Sequence, residues 1–125
     1  MGGAVAEENR PFTDIQASMT FVRNGRKLSF RALVDTGAQG TLVSERVLEQ
    51  LQTRPTAGGL FINADGSRIR TGALRLRIGV SPFPLRELRV MVMTTCPEGY
   101  DAILGMDYLL HHHFEINHGQ FRIIA

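Results

Sequence analysis

Apolar positions along this chain come in short alternating runs separated by turn dipeptides, a pattern that predicts many brief strands. Met19–Arg23 reads as a strand, and Asn24-Gly25 as a tight hairpin turn, because that dipeptide accepts the positive φ such turns need. Lys27–Val34 follows with apolar residues at 28, 30 and 32, then an unbroken Leu33-Val34. Thr41-Leu42-Val43 predicts a further short strand. Ser44 reads as the N-cap of a helix over Glu45–Gln52, in which Val47, Leu48 and Leu51 fall at helical spacing. Gly58-Gly59 is expected to break the chain. Beyond it, Leu60–Asn63 and Ser67–Arg70 flank Ala64-Asp65-Gly66 as a second hairpin.

Two more strands are predicted at Ala73–Gly79 and Leu85–Met93, with Pro82 and Pro84 in the turn between them. After a loop at Cys96–Gly99, Ala102–Gly105 reads as a short buried strand leading into a helical turn from Met106 to about His112. Phe114–Asn117 and Phe121–Ala125 form a closing hairpin around His118-Gly119. About seven strands and two short helices amount to an all-β domain, mainly antiparallel, closed into a barrel or stacked as a sandwich.

Length and charge narrow the reading. A chain of 125 residues has room for one core; residues 1–18 are expected to be a flexible lead-in and 19–125 the domain. The formal net charge is only +2 and the arginines are scattered without a like-charge run, so no nucleic-acid partner is expected. Cys96 is the single cysteine, which rules out an internal disulfide and a cysteine-rich zinc site. No apolar stretch reaches the ~18 residues of a membrane span, and Met1–Asn9 carries acidic residues unlike a secretory signal. A cytoplasmic location is the resulting expectation.

The chemistry-bearing motif is Val34-Asp35-Thr36-Gly37. Its bland reading is an Asx-turn at a strand end, where Asp, Thr and Gly are ordinary turn residues. Context argues for more. The apolar approach Ala32-Leu33-Val34 places Asp35 at the floor of a core. Thr36 offers a hydroxyl able to tie two such loops together, and Gly37 lets the backbone pass close to a substrate or partner. Downstream lie the Asp65-Gly66 hairpin and an apolar-apolar-Gly, Ile103-Leu104-Gly105, followed by a short helix.

Leu33-Val34-Asp35-Thr36-Gly37-Ala38-Gln39, then a glycine-tipped hairpin, then Ala102-Ile103-Leu104-Gly105-Met106-Asp107-Tyr108-Leu109 resembles the retropepsins. These are the single-lobe aspartic peptidases of retroviruses and long-terminal-repeat retrotransposons, with cellular relatives among the DNA-damage-inducible ubiquitin-shuttle proteins. The likeness runs from about Thr20 to Ile124. It implies a retropepsin-like fold with one lobe per chain and Asp35 as catalytic carboxylate, supported by Thr36, Gly37 and Ala38. It further implies a flap at Ile62, Asn63, Ala64, Asp65 and Gly66 that binds substrate, and a cleft floor at Ile103, Leu104 and Gly105. Many retroviral members pair an Asp after Gly-Ala with an Arg after the later Gly. Gln39 and Met106 stand there instead, so both partners are missing together and no charge is left orphaned.

Peptide hydrolysis by carboxylates needs one as base toward water and one as acid toward the carbonyl. Asp35 is the only Asp here in such a motif, and two copies about a two-fold axis supply the pair, which shares a proton. The implied protein is a homodimeric endopeptidase without cofactor, acting on a peptide or on a retroelement polyprotein, in the cytoplasm or within a retroelement particle. The rivals are a shuttle-type cellular peptidase and a catalytically silent module for dimerisation or peptide binding. Asp107 reads as an N-cap of the last helix or, by the resemblance, as a hydrogen-bonding support for the active-site loop. His111-His112-His113 and His118 read as a solvated helix end and turn rather than metal ligands, since helical neighbours diverge by about 100°.

Overall fold

The computed structural model describes residues 15–62, 65–81 and 83–124. Asn63, Ala64, Pro82, Ala125 and most of the expected lead-in lie outside these residues.

Strands β1 (Gln16–Arg23) and β2 (Arg26–Val34) pair antiparallel from Gln16↔Leu33 to Arg23↔Arg26. Asn24 and Gly25 sit at φ 53° and 75°, the left-handed pair that lets two residues reverse a twisted ribbon. β1 begins three residues before the expected Met19. The short β3 (Leu42–Val43) leads into helix α1 (Glu45–Gln50), where the Ser44 hydroxyl accepts from the Val47 N–H as expected. The helix stops two residues early, because Gln52 turns to φ 54° and Thr53 N–H closes onto the Leu48 carbonyl.

Two expectations fail at glycines. Gly58-Gly59 lies inside β4 (Ala57–Ile62), and Ser67–Arg70 and Ala73–Gly79 are not separate strands but one strand, β5 (Arg68–Val80). A Cβ on Gly59 would stand 2.9 Å from the Met91 sulfur, and one on Gly72 would stand 2.5 Å from the Pro55 ring. These glycines permit close approach within a strand.

Strands β6 (Arg86–Val92) and β7 (Ala102–Leu104) complete the barrel. Its order is β1-β2-β7-β3-β6-β5, and Met19–Val22 pairing with Arg77–Val80 closes β5 back onto β1. β4 extends the free half of β5 as a hairpin arm. β7 runs parallel to β2 and antiparallel to β3, so the strand ends at Val34 and Leu104 lie side by side. Helix α2 (Met106–Leu109) follows, then a separate hairpin of β8 (His113–Asn117) and β9 (Gln120–Ile124). Inside the barrel Met19, Phe21, Leu76, Ile78, Val90, Leu104 and Tyr108 are buried, with Phe21 and Phe30 packed edge to face at 5.9 Å. Phe114, Phe121 and Ile123 of the last hairpin lean onto this core.

Candidate active site

The parallel β2/β7 pair ends in two loops that meet. Asp35 N–H donates to the Leu104 carbonyl at 3.0 Å, and Ala38 N–H donates back to the Asp35 carbonyl at 3.1 Å. The Asp35 carboxylate accepts from the Gly37 N–H at 2.8 Å. This is the Asx-turn of the bland reading, and it also fixes where the carboxylate points. A Cβ on Gly37 would approach Asp35 Oδ1 to 3.2 Å, so a glycine keeps that oxygen uncrowded. Asp35 is half-buried above a buried Val34, while Thr36 and Gly37 are exposed on the single chain. Ala38 is half-buried.

What holds this loop is a buried hydroxyl that the sequence reading passed over. Thr41, 1% exposed, donates through Oγ1 to Asp107 Oδ1 at 2.7 Å and accepts from the Gly105 N–H at 3.1 Å. Thr41 N–H donates to the other Asp107 oxygen at 3.1 Å, and Tyr108 N–H donates to Oδ1 at 2.8 Å. The N-cap reading of Asp107 is corrected: Gly105 occupies the cap, and Asp107 sits inside the first turn as a tie to the loop. Where the retroviral ion pair is absent, main chain substitutes. Met106 N–H donates to the Ala38 carbonyl and Asp107 N–H to the Gln39 carbonyl, at 2.8 and 2.9 Å. A Cβ on Gly105 would stand 2.5 Å from the Gly40 carbonyl oxygen, so the two loops touch backbone to backbone.

Beside the loop lies a groove of about 420 Å³ lined by Leu42, Ile69, Thr71, Val92, Met93, Ile103 and the Thr94–Pro97 loop. Of the three residues expected on the cleft floor, only Ile103 lines it. Leu104 points into the core and Gly105 is buried in the loop junction, because successive strand side chains face opposite ways. Ile69, in the second arm of the hairpin expected as a flap, and Thr71 just beyond it line this groove. Ile62 is 59% and Leu60 45% exposed, apolar surface left uncovered by the described residues. At the tip Gly66 takes φ 87°, and the Asp65 carboxylate caps Ser67 N–H at 2.8 Å. Hydrogen bonds from Ser67 hold the Asp65 carboxyl below its usual range. Asn63 and Ala64, the remaining flap residues, lie outside the described residues.

Other polar candidates have structural employment. Asp101 accepts from Arg46 and from the Ser44 hydroxyl at the start of β7. Cys96 edges the groove, but desolvation pushes its thiol up, with Asp101 and Glu45 adding to the effect, so it is a poor thiolate nucleophile. His112 is not part of a solvated helix end as expected. It stacks on Tyr108 at 4.8 Å and Phe83 at 5.4 Å, and burial, then Arg86 and His111, push its pKa down. Among the described residues no three His, Cys, Asp or Glu side chains converge on a point.

Comparison with known proteins agrees with this geometry. The family model described as "gag-polyprotein putative aspartyl protease" matches residues 20–111. No curated protein matches the chain. Among solved structures, the EIAV protease complexed with the inhibitor HBY-793 superposes with a TM-score of 0.63 at 19% identity, over 82% of this chain and 90% of that one. A retropepsin-like aspartic protease from Rickettsia conorii gives 0.57 at 16% identity, over 82% and 75%. The retroviral protease-like domain of Ddi1 from Leishmania major gives 0.56 at 20% identity, over 89% and 88%. At these identities the three establish a shared retropepsin fold.

Proposed function

Because the chain belongs to the gag-polyprotein aspartyl protease family, we propose that it is an aspartic endopeptidase whose active site is assembled from two copies, each contributing Asp35. The carrying observation is the position of that carboxylate: it follows the end of β2, aimed by the Gly37 N–H, and Ile103 of the adjoining β7 lines an apolar groove. One carboxylate per chain is half of an acid–base pair. A second copy placing its own Asp35 alongside would let one act as base toward water and the other, protonated, polarise the substrate carbonyl. The exposed Thr36 hydroxyl is free to meet its counterpart across the axis. The uncovered Leu60 and Ile62 suit a hairpin that closes over an extended apolar peptide. A polyprotein that includes this chain is the proposed substrate.

The test is Asp35→Asn, nearly isosteric and so expected to leave fold and association intact. Cleavage of a degenerate peptide library should drop by at least ~10²-fold. Residual turnover above about 1% of wild type, in protein free of other proteases, would remove Asp35 from the mechanism. Specific activity should also fall on dilution, as for any site shared between chains.

A further inference from the structure

Of the 14 basic residues all but Lys27 are arginine, and what looks scattered along the chain is gathered by the barrel. β2, β1, β5 and β6 lie side by side, and their outward positions form rows. Lys27, Val22, Arg77 and Glu87 make one row across the four strands. In the next row Arg75 stands directly opposite Arg89. Arg23, half-buried, donates through Nη1 to the Arg75 carbonyl at 2.8 Å. Lys27, Arg75, Arg77 and Arg89 are exposed. Glu87 is the one carboxylate in these rows, and the two ion pairs among the described residues, Arg46–Asp101 and Arg122–Glu115, lie elsewhere.

Like charges placed directly opposite across a ladder destabilise it, so the Arg75/Arg89 pair is a local cost; Glu87 stands diagonal to Arg75, and Arg89 Nη2 donates to the Gly58 carbonyl at 2.8 Å. We propose that this outward face of β2, β1, β5 and β6 docks the phosphate backbone of a single nucleic-acid strand. Guanidinium forks suit phosphate oxygens bidentately, which accounts for arginine in place of lysine. A nucleic-acid strand brings a negative charge with every nucleotide whatever its sequence. An extended acidic peptide faces the sheet only with alternate residues and would need a special sequence. The rows carry no aromatic side chain for base stacking and no protruding apolar group for a bilayer, so recognition rests on the backbone. Lys27 lies eight residues before Asp35 on the same strand, roughly 26 Å at strand rise. Arg75 is nearer, four residues along β5 from Thr71 of the groove wall.

The experiment is fluorescence anisotropy with labelled oligouridylate and oligothymidylate of about 20 nucleotides, over about 50–200 mM salt. Both probes should bind within about threefold of each other, with a log–log salt slope of roughly −2 to −3.5 for three to five phosphate contacts. R75S/R77S should weaken binding at least ~10-fold and flatten the slope by about 1.4, two contacts' worth. R54S/R122S, which changes net charge equally, should stay within about twofold of wild type. The proposal is overturned if both double variants weaken binding alike, or if neither probe binds at low salt. It is equally overturned if polyglutamate of matched charge displaces the strand as well as unlabelled oligonucleotide does.

Discussion

Thr41→Val tests the junction on which the active-site loop hangs. Valine keeps the β-branched shape and deletes only the hydroxyl, so packing is nearly constant and the change reads hydrogen bonding. Two bonds are lost: the donation to Asp107 Oδ1 at 2.7 Å and the acceptance from Gly105 N–H at 3.1 Å. A bond to an ionised carboxylate contributes about 1.5–3 kcal/mol, and a buried N–H left without an acceptor costs about 1–3 kcal/mol. Thr41 is 1% exposed, so water does not replace the hydroxyl without rearrangement. Asp107 keeps donors from Thr41 N–H and Tyr108 N–H, so its charge is not stranded. That holds the expected loss to about 3 kcal/mol rather than the sum of both upper limits. Urea denaturation should show a lower midpoint at unchanged slope, and thermal melting a fall of roughly 15 °C for a domain near 100 residues. Combining T41V with Asp107→Leu should give a coupling of at least ~1 kcal/mol. A T41V variant within about 0.5 kcal/mol of wild type would refute the view that this hydroxyl holds the loops together.

Gly105→Ala should destabilise by about 1–3 kcal/mol in the same denaturation assay, since its Cβ would meet the Gly40 carbonyl oxygen at 2.5 Å and backbone must yield; a neutral result would mean the junction is loose. Gly66→Val, at φ 87°, should impair peptide turnover more than melting temperature. Hydrogen exchange at 65–70 should exceed that of Lys27–Val34 until a peptidic transition-state mimic is added, and equal protection without ligand would exclude a closing flap. His112 should make the fold acid-sensitive. Its folded pKa lies below the ordinary ~6.5, so the unfolded chain takes up the proton first and stability falls as pH drops through that value. His112→Gln should flatten the melting temperature between about pH 7 and 5, and an unchanged slope would assign the sensitivity elsewhere.

Local demands were legible in the sequence, and long-range ones were not. Asn24-Gly25, the Ser44 cap and the Asp65-Gly66 turn were readable because each is a conformation that few residue types satisfy and is set by its immediate neighbours. Gly58 and Gly59 misled for the same reason, and Gly72 sits inside β5 where the reading had left a gap between two strands. A glycine's freedom marks a turn when nothing packs on it, but Met91 and Pro55 press on two of these, and those neighbours lie at least 17 residues away. Thr41 and Asp107 are 66 residues apart, and no periodicity links them. The Asp35 motif was readable as a candidate because its residue types are restrictive, whereas which of Ile103, Leu104 and Gly105 faced the groove required the register of β7.

The missing Gln39/Met106 ion pair and the arginine face carry the same physical lesson from opposite directions. In the first, the ion pair of many retroviral members has no counterpart in Gln39 and Met106, and Ala38 and Gln39 carbonyls receive Met106 and Asp107 N–H groups there. Main-chain bonds are available to any residue type, so the junction constrains backbone path and tolerates change in the side chains above it. In the second, the backbone path brings together charges that the sequence keeps far apart: Arg75 stands opposite Arg89 because β5 and β6 pair, and Lys27 and Arg77 share a row through β1. Net charge, a sum over the chain, is blind to that placement. Thr41→Val and R75S/R77S therefore probe independent properties of one barrel: the first should lower stability with little effect on polyanion binding, and the second should do the reverse. R75S/R77S should raise stability only slightly, by relieving the Arg75/Arg89 repulsion, the sign expected for a cross-strand like-charge pair. A loss of stability from the same substitutions would mean the guanidinium stems pack the sheet surface, and the repulsion argument for a bound strand would fall.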